Sequence, residues 1–338
     1  MFALGRWRTM RGRERARVQR KPAMVSVRNR IKDIGEPSPS HKPLAFRSSF
    51  GRRTPRSMRM ALDGMTDPLV SNWHYLGRTF KSENNADSHL AQGMTTDGAR
   101  WYLSSNGSKR IVIFDDQWDR VFTISPTSTI WDEMRNDPRR DPSVDWGPDE
   151  DNPHLGALCV HENTLYVPVQ GPRGVWRINL KTAAQTWLHP SKLNDNDLFP
   201  WCAIHPVTGL LYTANYHTPD KLHAYDRETL QRRSDHDVPL AKPAIYLDYV
   251  QGGTFTDRGR LILVRDSYNA VFCFSSLNGH CFGSKKIGED WSEVESVTVR
   301  PWNFSGGHAS VHIFELDNDP GTHDCYLHCF EIPDPSRL

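Results

Sequence analysis

The chain has 338 residues, 37% hydrophobic and 24% charged, with a formal charge of only +2. That composition is ordinary for a globular protein and excludes collagen-like or wholly disordered chains. No apolar run approaches the roughly 18–20 residues a membrane-crossing helix needs, and the N-terminus lacks the apolar stretch of a secretory signal.

The near-neutral total hides a division. Residues 1–60 carry 17 Lys and Arg against Glu14, Asp33 and Glu36, leaving 25 basic against 37 acidic residues in the remainder. Blocks of one sign with few apolar anchors stay unfolded in isolation. Residues 1–65 are therefore expected to form a basic arm outside the fold. Its composition suits an organellar transit peptide, a tether to nucleic acid or another anionic surface, or a segment preceding a start at Met60 or Met65. Without targeting, the expected location is cytoplasmic. Nucleic acid enters only through the arm, and no membrane partner is expected.

After the arm, NWHYLGRTF (72–80) reads as a single strand. A sentence then repeats five times. It begins at residues 89 (HLAQGMTTDGARWYLSSNGSKRIVIFD), 154 (HLGALCVHENTLYVPVQGPRGVWRINL) and 200 (PWCAIHPVTGLLYTANYHTPDKLHAYD). It returns at 249 (YVQGGTFTDRGRLILVRDSYNAVFCFS) and, more loosely, at 293 (EVESVTVRPWNFSGGHASVHIFELDND). Each copy has a strand start rich in small residues, a polar turn and two or more alternating strands. In the first copy these are AQGMTT, RWYLSS, RIVIFD and RVFTIS, turning at Asp97-Gly98 and Asn106-Gly107. Such pairs supply the positive φ that tight hairpins need. The third copy turns at Val207-Thr208-Gly209 and the fourth at Asp257-Arg258-Gly259.

Copies start 44–65 residues apart, close to the roughly 40–50 of a four-stranded propeller blade. Residues 66–338 are accordingly expected to be an all-β propeller of five blades; a sixth would have to draw on the arm. The longest interval holds the charged insertion IWDEMRNDPRRDPSVDWGPDEDN, read as a loop over one face. The last copy supplies only three strands, and the strand at 72–80 can complete it and close the ring.

The loops leading into the innermost strands are oxygen-rich: Glu83, Asn84, Asn85 and Asp87; Asp149 to Asn152; Asn194 to Asp197; and Glu289, Asp290, Glu293 and Glu295. The fourth offers only Asp248. Brought to one mouth, they would focus a negative potential; as isolated turns, the same residues need no function. His89 and His154 occupy equivalent His-Leu positions. With Glu295 they form a candidate set for a divalent ion (Zn, Fe or Ca) or for proton transfer. Gln92, Trp201 and His205 are the candidate substrate-binding residues. The alternative is that the histidines are structural repeat positions.

Other motifs are weaker. In THDCYLHCFE, strand alternation sends Cys325 and Cys329 to one face and His328 to the other, so one tetrahedral ion cannot gather them. The six cysteines read as buried hydrophobes. Asp317-Asn318-Asp319-Pro320-Gly321 lacks the spacing of a calcium loop and reads as a turn. No GxGxxG, P-loop or GxSxG motif is present, so no nucleotide cofactor is expected.

The first copy, with Gln92, Gly93, Met94, Tyr102, Ser104 and Gly107, resembles the opening blade of plant-type glutaminyl cyclases, which are five-bladed propellers. The blade pattern also resembles the SMP-30, gluconolactonase and strictosidine-synthase-like superfamily, whose members bind a metal at the central mouth. That group opens with Glu-Gly-Pro, where this chain has Ala91-Gln92-Gly93. These resemblances imply a small-molecule enzyme, in the first instance a metal-assisted hydrolase or lactonase. The other readings are a non-catalytic binding propeller and a cyclase-like acyltransferase. Substrate and oligomeric state are not encoded in any motif.

Overall fold

A computed structural model describes residues 73–82, 90–137, 154–190, 199–241, 247–266, 269–288, 291–300, 310–317 and 324–332. The arm, His89, the acidic stretches 83–87, 149–152, 194–197 and 289–290, residues 138–152 of the charged insertion, and the turn 318–321 lie outside them.

The chain opens with β1 (His74–Ser82) and then builds blade 1 from β2 (Ala91–Thr96), β3 (Trp101–Ser105), β4 (Arg110–Phe114) and β5 (Arg120–Ile124). After the helix α1 (Ser128–Arg135), blade 2 uses β6 (His154–Leu155), β7 (Cys159–His161), β8 (Thr164–Gln170), β9 (Gly174–Asn179) and β10 (Gln185–Leu188). Blade 3 is β11 (Ala203–Ile204), β12 (Leu211–Thr213), β13 (Lys221–Tyr225) and β14 (Val238–Pro239). Blade 4 is β15 (Val250–Phe255), β16 (Arg260–Arg265), β17 (Ala270–Ser275) and β18 (Cys281–Lys286). Blade 5 contains β19 (Glu293–Arg300), β20 (Ser310–Asp317) and β21 (Asp324–Glu331). Each is an antiparallel meander, and the fifth sheet runs β1-β21-β20-β19. The N-terminal strand therefore supplies the missing outer edge, and the all-β, five-bladed propeller expected from the repeats is the observed fold.

Period-two alternation explains why the blades pack. Along β16, Leu261 and Leu263 enter the core shared with blade 3, whereas Ile262 and Val264 enter the core shared with blade 5. Along β3, Trp101 and Leu103 face blade 5, and Tyr102 faces blade 2. Middle strands covered on both faces must be apolar throughout, unlike a half-solvated strand. The described core falls into five clusters, one at each blade interface, so every blade touches two neighbours.

One local expectation changes, and one inner strand is irregular. The start of the charged insertion is a helix rather than a loop. The Thr127 side chain accepts a hydrogen bond from the Ile130 amide at 3.3 Å, and Ile130 and Met134, one turn apart, are buried against blades 1 and 2. The innermost strand of blade 2 is also split. A Cβ on Gly156 would lie 2.2 Å from the Pro200 carbonyl oxygen. The chain there bonds sideways to the next blade: the Ala157 amide donates to Pro200 O at 2.9 Å, and the Cys202 amide to Ala157 O at 3.1 Å.

The six cysteines are free thiols, four buried and two partly so, as expected of packing residues. Among the described residues no helix is long and apolar enough to cross a membrane.

Candidate functional site

Five innermost strands surround the axis, and the direction of β2 defines its two ends: a start mouth near Gln92 and an end mouth near Thr96. Between them the strands converge on a waist of small residues. A Cβ on Gly93 would sit 3.1 Å from both the Ala157 and the Ser296 Cβ atoms, and one on Gly252 would sit 2.6 Å from Ser296 Cα. Ser296 Oγ accepts from the Met94 amide at 2.9 Å, tying blade 5 to blade 1. The small-residue strand starts seen in the repeats are thus a steric requirement of close backbone approach.

At the start mouth, Gln92 on β2 reaches both flanking blades. Its Nε2 donates to Glu295 Oε1 of blade 5 at 3.2 Å, and its Oε1 lies 2.5 Å from His154 Nε2 of blade 2. An amide that donates from nitrogen must accept at oxygen, so neutral His154 carries its proton on Nε2 and leaves Nδ1 as its basic atom. Gln92 and Glu295 are buried and His154 is partly exposed.

Burial pushes the His154 imidazole down to about 4, with the Lys109 ammonium adding to the effect. Burial also drives the Glu295 carboxyl well above the ordinary carboxylate range. The negative charges of Glu293 and Asp266 push the same way, and the bond from Gln92 opposes them. The arrangement therefore favours a neutral imidazole and a protonated carboxyl on either side of one amide.

The wall beyond Glu295 was not foreseen. Asp266, directly after β16, has its carboxyl raised by burial, against the opposing effects of the Val294 amide and Arg265. The Tyr216 phenol is raised by burial and by Asp266, Glu295 and Glu293. Tyr216 packs edge-on against Tyr249 at 5.3 Å, and Gln251 Nε2 donates to Glu293 Oε1 at 3.2 Å. A sequence signal existed: the residue closing the second strand of a blade returns to this mouth and is polar in several copies, as Asn106, Asn215, Asp266 and Asp317. Asn106 accepts from the Leu155 amide at 2.6 Å, while its Nδ2 is buried with no partner among the described residues.

The other expected members are placed elsewhere. His205 follows β11 at the opposite end of its strand. Its Nδ1 accepts from the Val207 and Thr208 amides at 3.2 Å, its Nε2 lies 2.9 Å from Ser276 Oγ, and its ring meets Phe255 edge-on at 4.9 Å. It orders a turn and does not join His154. Trp201 is fully buried between blades 3 and 4, where the absence of a side chain on Gly253 makes room for its ring.

Among the described residues no three His, Cys, Asp or Glu side chains stand close enough to hold a metal ion. Gln92 occupies His154 Nε2 and Glu295 Oε1, so only His154 Nδ1 and Glu295 Oε2 remain as donors from this pair. The two described donors, His154 and Glu295, are by themselves fewer than the three protein ligands of a catalytic metal site.

No protein-family model matches the sequence, and no curated protein matches it. Solved structures do. The glutaminyl cyclase of Myxococcus xanthus is similar over 76% of this chain and 97% of its own, at 8% identity and a TM-score of 0.48. A streptogramin B lyase is similar over 76% and 74%, at 11% identity and a TM-score of 0.40. A luciferin-regenerating enzyme is similar over 74% and 94%, at 10% identity and a TM-score of 0.41. The likeness is one of fold alone.

Proposed function

We propose that the protein is an enzyme that hydrolyses a small ester or lactone at the start mouth, by acid–base catalysis. The observation that supports this reading is the Gln92 amide, which links an imidazole from blade 2 to a carboxyl from blade 5. Distant segments are thereby brought to one point with opposite proton roles. His154 Nδ1 takes a proton from water, whose oxygen attacks the carbonyl carbon. Collapse of the adduct breaks the bond to the leaving oxygen, which receives the Glu295 proton. Exchange with solvent resets both groups. Gln92 holds the His154 tautomer and the Glu295 rotamer, and Tyr216 and Tyr249 wall one side.

The same pair would serve a cyclase-like acyl transfer, with an amine of the substrate in place of water; the product distinguishes the two. An ion at this mouth would need a donor beyond His154 and Glu295, the role His89 was expected to fill.

The test is a screen of lactones, esters and amino-terminal glutaminyl peptides, repeated with Glu295→Gln and His154→Ala. Each substitution should lower kcat/KM by about 10²–10⁴-fold, with melting temperature preserved in at least one variant. Turnover unchanged by both substitutions, or ligand binding without turnover, would overturn the reading. So would a stoichiometric bound ion that is lost in His154→Ala.

A further inference from the structure

The waist separates the start mouth from a cavity at the other end of the axis. That cavity has a volume of about 320 Å³ and takes its lining from all five blades. Its size is at the lower end of the roughly 300–1,000 Å³ of small-molecule sites. We propose that the end mouth is a second ligand site, for a small uncharged polyhydroxylated molecule such as a sugar ring or a cyclitol.

Three features select that chemistry. Hydroxyls line the cavity from blades 1, 4 and 5, including Thr95, Thr254 and Thr298. The Thr95 and Thr298 oxygens lie 3.4 Å apart, longer than an ordinary hydroxyl–hydroxyl bond, so both can turn to a ligand. Second, the exposed carboxylates of Glu162 and Asp257 stand at the rim, and no Lys or Arg is among the lining residues described. Carboxylates accept strongly from ligand hydroxyls and repel anions. Third, Phe255 lines the same wall and is braced edge-on by His205 and by Tyr212 at 5.5 Å. An aromatic ring so fixed offers a flat apolar surface to the C–H face of a sugar ring.

The half-buried residue Cys159 of blade 2 also lines the cavity, with its thiol beside the buried Cys202. It provides a local reporter.

D-glucose and myo-inositol are titrated against the full chain by calorimetry, and alkylation of Cys159 by N-ethylmaleimide is followed by peptide mass spectrometry. The expected result is saturable binding that slows Cys159 alkylation. Thr254→Val with Asp257→Asn should weaken it at least tenfold, whereas Gln92→Ala, at the far mouth, should leave it unchanged. Absence of saturable binding by either probe overturns the proposal, as does binding that survives the double substitution or is lost in Gln92→Ala. Preference for the polyamine spermidine over both probes overturns it in favour of a cation site. None of these results bears on hydrolysis at the start mouth.

Discussion

Replacing Gly252 by alanine tests the waist directly. The new Cβ would lie 2.6 Å from Ser296 Cα, 3.0 Å from the Val297 nitrogen and 3.1 Å from the Glu295 carbonyl oxygen, all on β19. These are backbone atoms, so no rotamer change relieves the clash. Ordinary carbon contacts lie near 3.5–4.0 Å, and β19 must therefore recede by about 1 Å. Overpacking of this kind costs about 1–3 kcal/mol. For a domain of this size that is a fall in melting temperature of roughly 2–12 °C. Gly209→Ala is the comparison: its φ is +67°, but its Cβ meets nothing closer than 3.7 Å, so it carries only the left-handed penalty of about 1–2 kcal/mol. Scanning calorimetry of both variants is the assay. Because Glu295 sits on the displaced strand, turnover should also fall in Gly252→Ala and not in Gly209→Ala. A Gly252→Ala protein melting within about 1 °C of the parent would refute the idea that the inner strands touch.

Three further outcomes follow from the geometry. Burial holds His205 down to about 4 and His312 to about 3, whereas an unfolded imidazole titrates near 6.5. At these two sites the unfolded chain binds more protons in that interval, so their contribution, present above pH 6.5, should be lost progressively towards pH 4; a pH dependence of melting temperature unchanged by replacing both histidines would contradict it. Phe80→Ala removes an aromatic anchor that packs on Phe114 and Trp118 at 5.1 and 4.7 Å. Chemical denaturation should show a loss of about 3–5 kcal/mol, and a loss below about 1 kcal/mol would mean that β1 is only loosely held. Glu315→Ala leaves the fully buried His328 ring, 2.6 Å from Glu315 Oε2, without its carboxylate partner. That should cost about 1–3 kcal/mol in the same assay, whereas Glu315→Gln should recover much of it.

The fold was legible because it depends on periodicity, which a single sequence displays. Gly98, Gly209 and Gly259 stand at positive φ in the turns where the repeats placed them, and residues 74–82 pair with β21 as the incomplete fifth copy required. The candidate site was legible only as a set of neighbours, not as a role. Gln92, His154 and Glu295 share a strand position relative to the axis, and alternation brings them together. His205 lies only four residues beyond Trp201, but the innermost strand of blade 3 is so short that this spacing carries it towards the opposite mouth. Trp201 was drawn to a mouth by its place in the chain, yet the space left by Gly253 on the neighbouring blade takes its ring inward. Asp266 and Tyr216 follow the second strands of their blades, and they reach this mouth because strand ends in an antiparallel meander return to the side where the inner strands begin.

His74 lies opposite Glu331 in the ladder that seals the ring. Residues 73 and 332 therefore leave the propeller side by side, at the rim farther from Gln92. Tension applied between those two points would load the hydrogen bonds of that ladder one at a time, as in peeling tape, and not all at once as in shear. The circle should yield first at this seam, with the other four blades still folded. A short peptide joining the two points would turn the seam into continuous chain and move the weakest place elsewhere.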